Sequence, residues 1–190
     1  MHFTGKVALA VAAGAMAGVF AAFAVLHFDT LPGAIKNGPW RTGLDFGNRD
    51  AGLAARAAVA LHGLFALNRK ETLYFTATTD SDGSPLNGAC AYRIYGRDPD
   101  ARWWSITAYG ADDYLIANPD NRYSISRSTL VRKPDGAFEA EISPKPGDLN
   151  WIAVVPGPFS LTLRLYNPSE DVAADPARAH LPQIHRWACT

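Results

Sequence analysis

Acidic side chains are the first candidates for chemistry in this sequence. They gather at two places, Asp112-Asp113 and Glu139 with Glu141. Two carboxylates facing each other across a groove can cleave a glycosidic bond, one as acid and the other as nucleophile or base. Glu139 and Glu141 share one face of a strand by parity. Beside a hairpin such a face is ordinarily just solvated, and Asp112-Asp113 reads equally well as loop. The five histidines, His2, His27, His62, His180 and His185, form no closely spaced pair suited to one metal. Asp80-x-Asp82-Gly83 opens like a calcium loop but lacks the remaining ligands and the distant glutamate, so a hairpin turn is the better reading. Neither a Gly-x-Ser-x-Gly elbow nor a phosphate-cradling glycine loop is present, and no histidine neighbours either cysteine in sequence. Catalytic residues therefore stay unassigned, and no metal or cofactor is predicted.

A second set of residues points to binding. Trp103, Trp104, Tyr109, Asn121, Arg122, Tyr123, Asn150, Trp151 and Arg164 fall in loops and at strand ends. An exposed tryptophan or tyrosine beside an amide and an arginine can hold a sugar ring or an apolar ligand. The plainer account is that these aromatics fill a core while the amides tie turns together. In a strand Trp103 and Trp104 face opposite sides, so one fits the core and the other the surface.

Charge narrows the partners. Lysine plus arginine and aspartate plus glutamate each total 18, so the net charge is zero. The basic clusters, of which Arg132-Lys133 is one, are no longer than two residues and too short to track a phosphate backbone, so nucleic acid is not expected as a partner. Two cysteines, Cys90 and Cys189, are too few for a disulfide scaffold or a cysteine-based zinc site. Whether they form one bridge or remain two thiols is open from sequence.

The elements that must position these residues begin with an apolar run. Val7 to Leu26 contains twenty residues without one polar side chain. A helix of that length spans roughly 30 Å, the thickness of the hydrocarbon core. The expectation is an N-terminal transmembrane anchor over residues 1–28. The rival is a cleaved signal peptide, since Lys6 precedes the run and Ala22-Phe23-Ala24 fits a small-x-small cleavage site, but the run exceeds a usual signal core. Either way the following domain is exported, and with the anchor retained it is expected in the periplasm on a single-pass inner-membrane helix. Ala10, Gly14, Gly18 and Ala22 recur every four residues, a spacing that lets two helices approach closely. Nine alanines among the twenty residues make that stripe easy to obtain by composition alone, so a homodimer through Gly14 and Gly18 is only one of two readings.

Residues 29–48 read as a linker and lead-in strand, and residues 49–190 as one domain. Asn48 or Asp50 can cap a helix running to Asn68, with Leu53, Ala57, Ala60, Leu61, Leu64 and Phe65 on one face. That face is expected to cover a sheet, with His62 and Arg69 turned away. Strands are predicted at 73–79, 89–95, 102–109, 122–125, 151–155 and 159–166. A hairpin pairs 129–133 with 137–142, while the tail from Val172 looks irregular after a possible short helix. Roughly eight short strands with frequent turns make the fold mainly β: an antiparallel sandwich or jelly roll with one covering amphipathic helix.

Several stretches together resemble the family known as domain of unknown function 1214. They are Gly38-Pro39-Trp40, Asp82-Gly83-x-x-Leu86-x-Gly88 and Arg102-Trp103-Trp104-Ser105-Ile106-Thr107-x-Tyr109. Further on come Asn118-Pro119-x-Asn121-Arg122-Tyr123-Ser124-Ile125, Asn150-Trp151, Gly157-Pro158-Phe159 and Arg164-x-Tyr166-x-Pro168. Members occur behind an N-terminal anchor or as the C-terminal part of larger two-domain proteins, usually in bacteria. The resemblance implies a jelly-roll sandwich and no particular reaction, and it brings no catalytic residues with it. The reading that follows is a non-catalytic envelope protein binding a glycan, a lipid or a protein; the alternative is an envelope enzyme acting on a carbohydrate or other small molecule.

Overall fold

The computed structural model describes residues 2–27, 34–43, 48, 50–61, 67–147 and 150–189. The apolar run forms helix α1, His2–His27, with one stretch, Gly5–Ala24, long and apolar enough to cross a membrane. Helix α2 is shorter than expected, Leu53–Leu61. Asn48 closes a turn ahead of it by accepting the Asp50 N–H on its side chain. Leu53 is 85% exposed and Ala60 is exposed, so these two residues do not cover a sheet. His62, Leu64 and Phe65 lie outside the described residues, and Arg69 is exposed.

Among the described residues ten strands form two sheets. They are β1 Ala34–Asn37, β2 Trp40–Gly43, β3 Thr72–Ala77, β4 Cys90–Gly96 and β5 Ala101–Gly110, then β6 Ser124–Ser126, β7 Phe138–Ser143, β8 Trp151–Ala153, β9 Phe159–Pro168 and β10 Gln183–Cys189. The six-stranded sheet runs β1-β2-β3-β9-β5-β6, and the four-stranded sheet β10-β4-β7-β8. All neighbours are antiparallel except β7 and β8, which run parallel.

Alternation decides which face is buried. Leu161, Leu163 and Leu165 of β9 point into the core and are fully buried, while Thr162, Arg164 and Tyr166 take the outer face. From the opposite sheet, Tyr92 and Ile94 of β4 and Phe138 and Ile142 of β7 fill the other half of the core. Trp104 stacks on Phe138 with ring centres 5.1 Å apart, and Tyr92 meets Phe159 edge-on at 5.7 Å. These aromatic pairs join sheet to sheet, each adding about 0.5–1.5 kcal/mol beyond the area they bury.

Three segments depart from the sequence expectation. Residues 34–43 are not merely a lead-in: β1 and β2 form a hairpin at the edge of the large sheet. Gly38 turns it with φ of 60°, a left-handed value glycine adopts without strain. Trp40, fully buried, donates its indole N–H to the Pro182 carbonyl at 2.7 Å, and Asn37 donates to Ala179 O at 2.7 Å. The tail is not irregular. Ser169 caps a short helix α3, Glu170–Ala174, a 3₁₀ turn follows at Pro176–Arg178, and β10 then pairs along β4. Only Ile184 of that edge strand is buried, so its sequence shows no alternation. Last, Thr129–Lys133 is not a strand. Asn150 holds both the N–H and the carbonyl of Val131 with its side-chain amide, at 2.8 and 2.7 Å. A side chain thereby replaces the strand partner that the hairpin would have supplied.

Cys90 and Cys189 are joined in a disulfide across β4 and β10, directly opposite each other in the register. The bridge settles the pairing that sequence left open.

Candidate functional site

The outer face of the four-stranded sheet carries a cleft of about 290 Å³. It is lined by Arg93 of β4, Glu139 and Glu141 of β7, the segment Val131-Arg132-Lys133, and Asn150. Strand parity assembles it. Inward Tyr92, Ile94, Ala140 and Ile142 force Arg93, Glu139 and Glu141 outward, and the register sets Arg93 directly beside Glu141. The Asn150 clamp on Val131, with a further bond from Asn150 to Glu139 O at 2.9 Å, then brings Lys133 over the sheet.

Glu139 receives two cations, Arg93 at 3.3 Å and Lys133 at 2.9 Å. The carboxylate of Glu139 raises the Lys133 pKa above its ordinary 10.5, chiefly through their hydrogen bond. Arg93 is raised as well, first by Tyr95 beside it and only then by the carboxylates. The cleft thus holds fixed charges of both signs at neutral pH.

Aromatic rings border it. The Arg93 guanidinium lies 4.7 Å over the ring of Trp187, which is 52% exposed. Tyr95 is exposed beside His185, 6.1 Å between ring centres. A flat ring next to carboxylates, an amide and guanidinium N–H groups offers stacking and directional hydrogen bonds together. Among the described residues no three histidine, cysteine or carboxylate side chains gather to hold a metal ion.

Of the nine residues picked from sequence, only Asn150 lines this cleft. Trp104 and Trp151 are corrected to structural roles. Trp104 is fully buried, its indole N–H on Asp98 at 3.1 Å, and Trp151 is 7% exposed and donates to the Ser143 carbonyl at 3.1 Å. Asn121 and Tyr123 are bonded to each other at 2.9 Å in the loop before β6, where Asn118 accepts the Arg122 N–H and the Arg122 side chain is exposed. Trp103, Tyr109 and Arg164 lie on the outer face of the six-stranded sheet, on the other side of the molecule. Trp103 packs edge-on against Tyr166 at 5.2 Å and donates to Ser128 at 2.8 Å.

Of the early carboxylate candidates, Glu139 and Glu141 line the cleft, while Asp80 and Asp112 hold turns. Asp80 accepts the N–H groups of Asp82 and Ser84 at 3.1 and 2.8 Å, which makes it a turn carboxylate. Asp112 does the same for Tyr114. Arg93, Trp187 and Tyr95 were missed as site residues. The signal was available for Arg93 and Tyr95, since Arg93 and Tyr95 alternate with apolar Tyr92 and Ile94. Trp187 sits at the register shift in β10 between Arg186 and Ala188, which no sequence pattern announces.

The two-sheet sandwich with this motif set defines a class, and the comparisons agree with it. A family profile described as "Protein of unknown function (DUF1214)" matches residues 71–170, just over half of the chain. The chain belongs to that family. A crystal structure of the VPA0106 protein from Vibrio parahaemolyticus is similar at TM-score 0.61 and 27% identity, covering 73% of this chain. This chain spans only 36% of that protein. A putative uncharacterized protein from Burkholderia cenocepacia is similar at TM-score 0.45 and 21% identity, over 62% of this chain and 29% of that one. No curated protein matches the sequence.

Proposed function

We propose that this chain is a membrane-anchored binding protein of the cell envelope, with its sandwich in the periplasm and a glycan as ligand of the cleft on the four-stranded sheet. The carrying observation is the juxtaposition in one cleft of Arg93, Lys133, Glu139, Glu141 and Asn150, with the half-exposed Trp187 ring beside Arg93. Sugar hydroxyls take hydrogen bonds from the cations and the amide, give them to the carboxylates, and the sugar face stacks on the indole. The apolar stretch Gly5–Ala24 supports the anchor, and the disulfide supports an oxidising compartment. Among the described residues nothing beyond the helix's own backbone lies within 4 Å of where a Cβ would stand at Gly14 or Gly18, which is compatible with a second copy packing there.

The test is calorimetric titration of the full chain in nanodiscs with a panel of envelope oligosaccharides, peptidoglycan fragments included. Saturable binding that weakens at least about tenfold in Trp187→Ala supports the reading. Binding by none of the panel, or binding untouched in Trp187→Ala, ends it. An envelope glycosidase is the second reading, favoured by Glu139 and Glu141 lining the same cleft. It requires turnover of the bound sugar, abolished in Glu141→Gln.

A further inference from the structure

We infer that Arg164 is the centre of a second binding site, an oxyanion site on the outer face of the six-stranded sheet that takes the carboxylate or phosphate of a small organic ligand. It stands on the side of the sandwich away from the cleft and independently of the glycan reading.

The argument begins with charge. Arg164 sits in the middle of β9, half-buried, with Tyr74 of β3 directly beside it on one side and Ser105 of β5 on the other. Its guanidinium lies 5.9 Å from the Tyr74 ring centre and 5.4 Å from that of Tyr109. Two aromatic walls and the sheet beneath remove much of its water. A desolvated cation costs free energy unless an anion neutralises it. Yet the described ion pairs go to Arg93, Arg97, Arg127, Arg132, Lys133 and Arg186. Among the described residues no carboxylate pairs with Arg164.

The hydrogen bonds point the same way. Of the five N–H donors of Arg164, one reaches the Tyr109 hydroxyl at 2.7 Å and one the Thr107 hydroxyl at 3.4 Å. Both partners are neutral, and both keep their own hydroxyl proton to donate. The result is a patch that gives hydrogen bonds and accepts few: guanidinium N–H groups, the Tyr109 O–H and the Thr107 O–H. Such a patch fits an oxyanion, which accepts several charge-assisted hydrogen bonds at once. Arginine's planar fork matches a carboxylate or a phosphate in two-point contact, and the half-buried Tyr109 ring suits a flat organic body attached to it.

The full chain, carrying ¹⁵N-labelled arginine in detergent micelles, would be titrated with benzoate, phenyl phosphate and inorganic phosphate at constant ionic strength, with benzamide as the uncharged control. The expected result is a saturable shift of the Arg164 Nε–H resonance with at least one oxyanion and none with benzamide. Which of the carboxylate and phosphate arms saturates at the lower concentration identifies the ligand's head group. Affinity should fall by at least about tenfold in Arg164→Gln and about three- to tenfold in Tyr109→Phe, which leaves the fold in place. Arg97→Gln, an exposed arginine outside both sites, should change nothing. The inference is overturned if no oxyanion gives a saturable shift in the wild type, if benzamide shifts the resonance equally, or if Tyr109→Phe and a folded Arg164→Gln bind as the wild type does.

Discussion

The side-chain amide of Asn150 grips Val131 as a strand neighbour would, accepting its N–H and donating to its carbonyl. Asn150 itself stands at φ of 58°, where asparagine is among the few residues at ease. Asn150→Asp keeps the acceptor and sets a carboxylate against the carbonyls of Val131 and Glu139. It should destabilise the fold by about 1–3 kcal/mol and loosen Lys133 from Glu139. Chemical denaturation, with amide exchange over residues 129–133, measures both.

The disulfide closes 99 residues of sequence into a loop. By the chain-entropy account its loss costs about 2–5 kcal/mol. The Cys90→Ala, Cys189→Ala double variant should melt roughly 5–15 °C below the wild type, with β10 the first segment to lose amide protection. Equal melting points with and without reductant would contradict the bridge.

Gly88 is required by close approach. A Cβ there would run into the carbonyl oxygen of Val155, where Gly88 N–H bonds to Gly157 O at 2.8 Å. Backbone cannot step aside as a side chain can. Gly88→Ala should cost about 1–3 kcal/mol by denaturant titration. Gly52→Ala, with open space around its Cβ, should cost far less.

Lys133 provides a pH test. Glu139 favours its charged form, so its proton is lost above the ordinary 10.5. Its contribution is present at and below that pH and disappears as pH rises through the higher folded value. NMR titration of the Lys133 side chain should show the raised midpoint, and Glu139→Gln should return it towards 10.5.

Legibility followed burial pattern. β9 could be read because leucines at 161, 163 and 165 alternate with Thr162, Arg164 and Tyr166, and its partner faces are one dry and one wet. β10 could not, because an edge strand with Ile184 alone in the core looks like any polar tail. Choosing site residues by type put Trp104 and Trp151 on the candidate list, although Trp104 shares parity with Ile106 and Ala108 and so belongs to the core. The cleft itself depends on β4 lying beside β7 and on a side chain standing in for a strand, relationships between residues about 20 to 50 positions apart. Charge parity on single strands hints at such a face, but only pairing tells which faces meet.

The placing of β9 has a consequence for biogenesis. It lies between β3 and β5, and both strands precede it by tens of residues. Until it emerges, the β1–β2–β3 group and the β5–β6 pair have no common neighbour, and the edges of β3 and β5 stand open. The nascent chain therefore crosses a long interval in which most of the sheet is made but cannot close. On the proposed reading of an exported domain, delivery from the amino end would keep those edges waiting in an aqueous compartment, so holding factors rather than intrinsic folding speed should govern its yield.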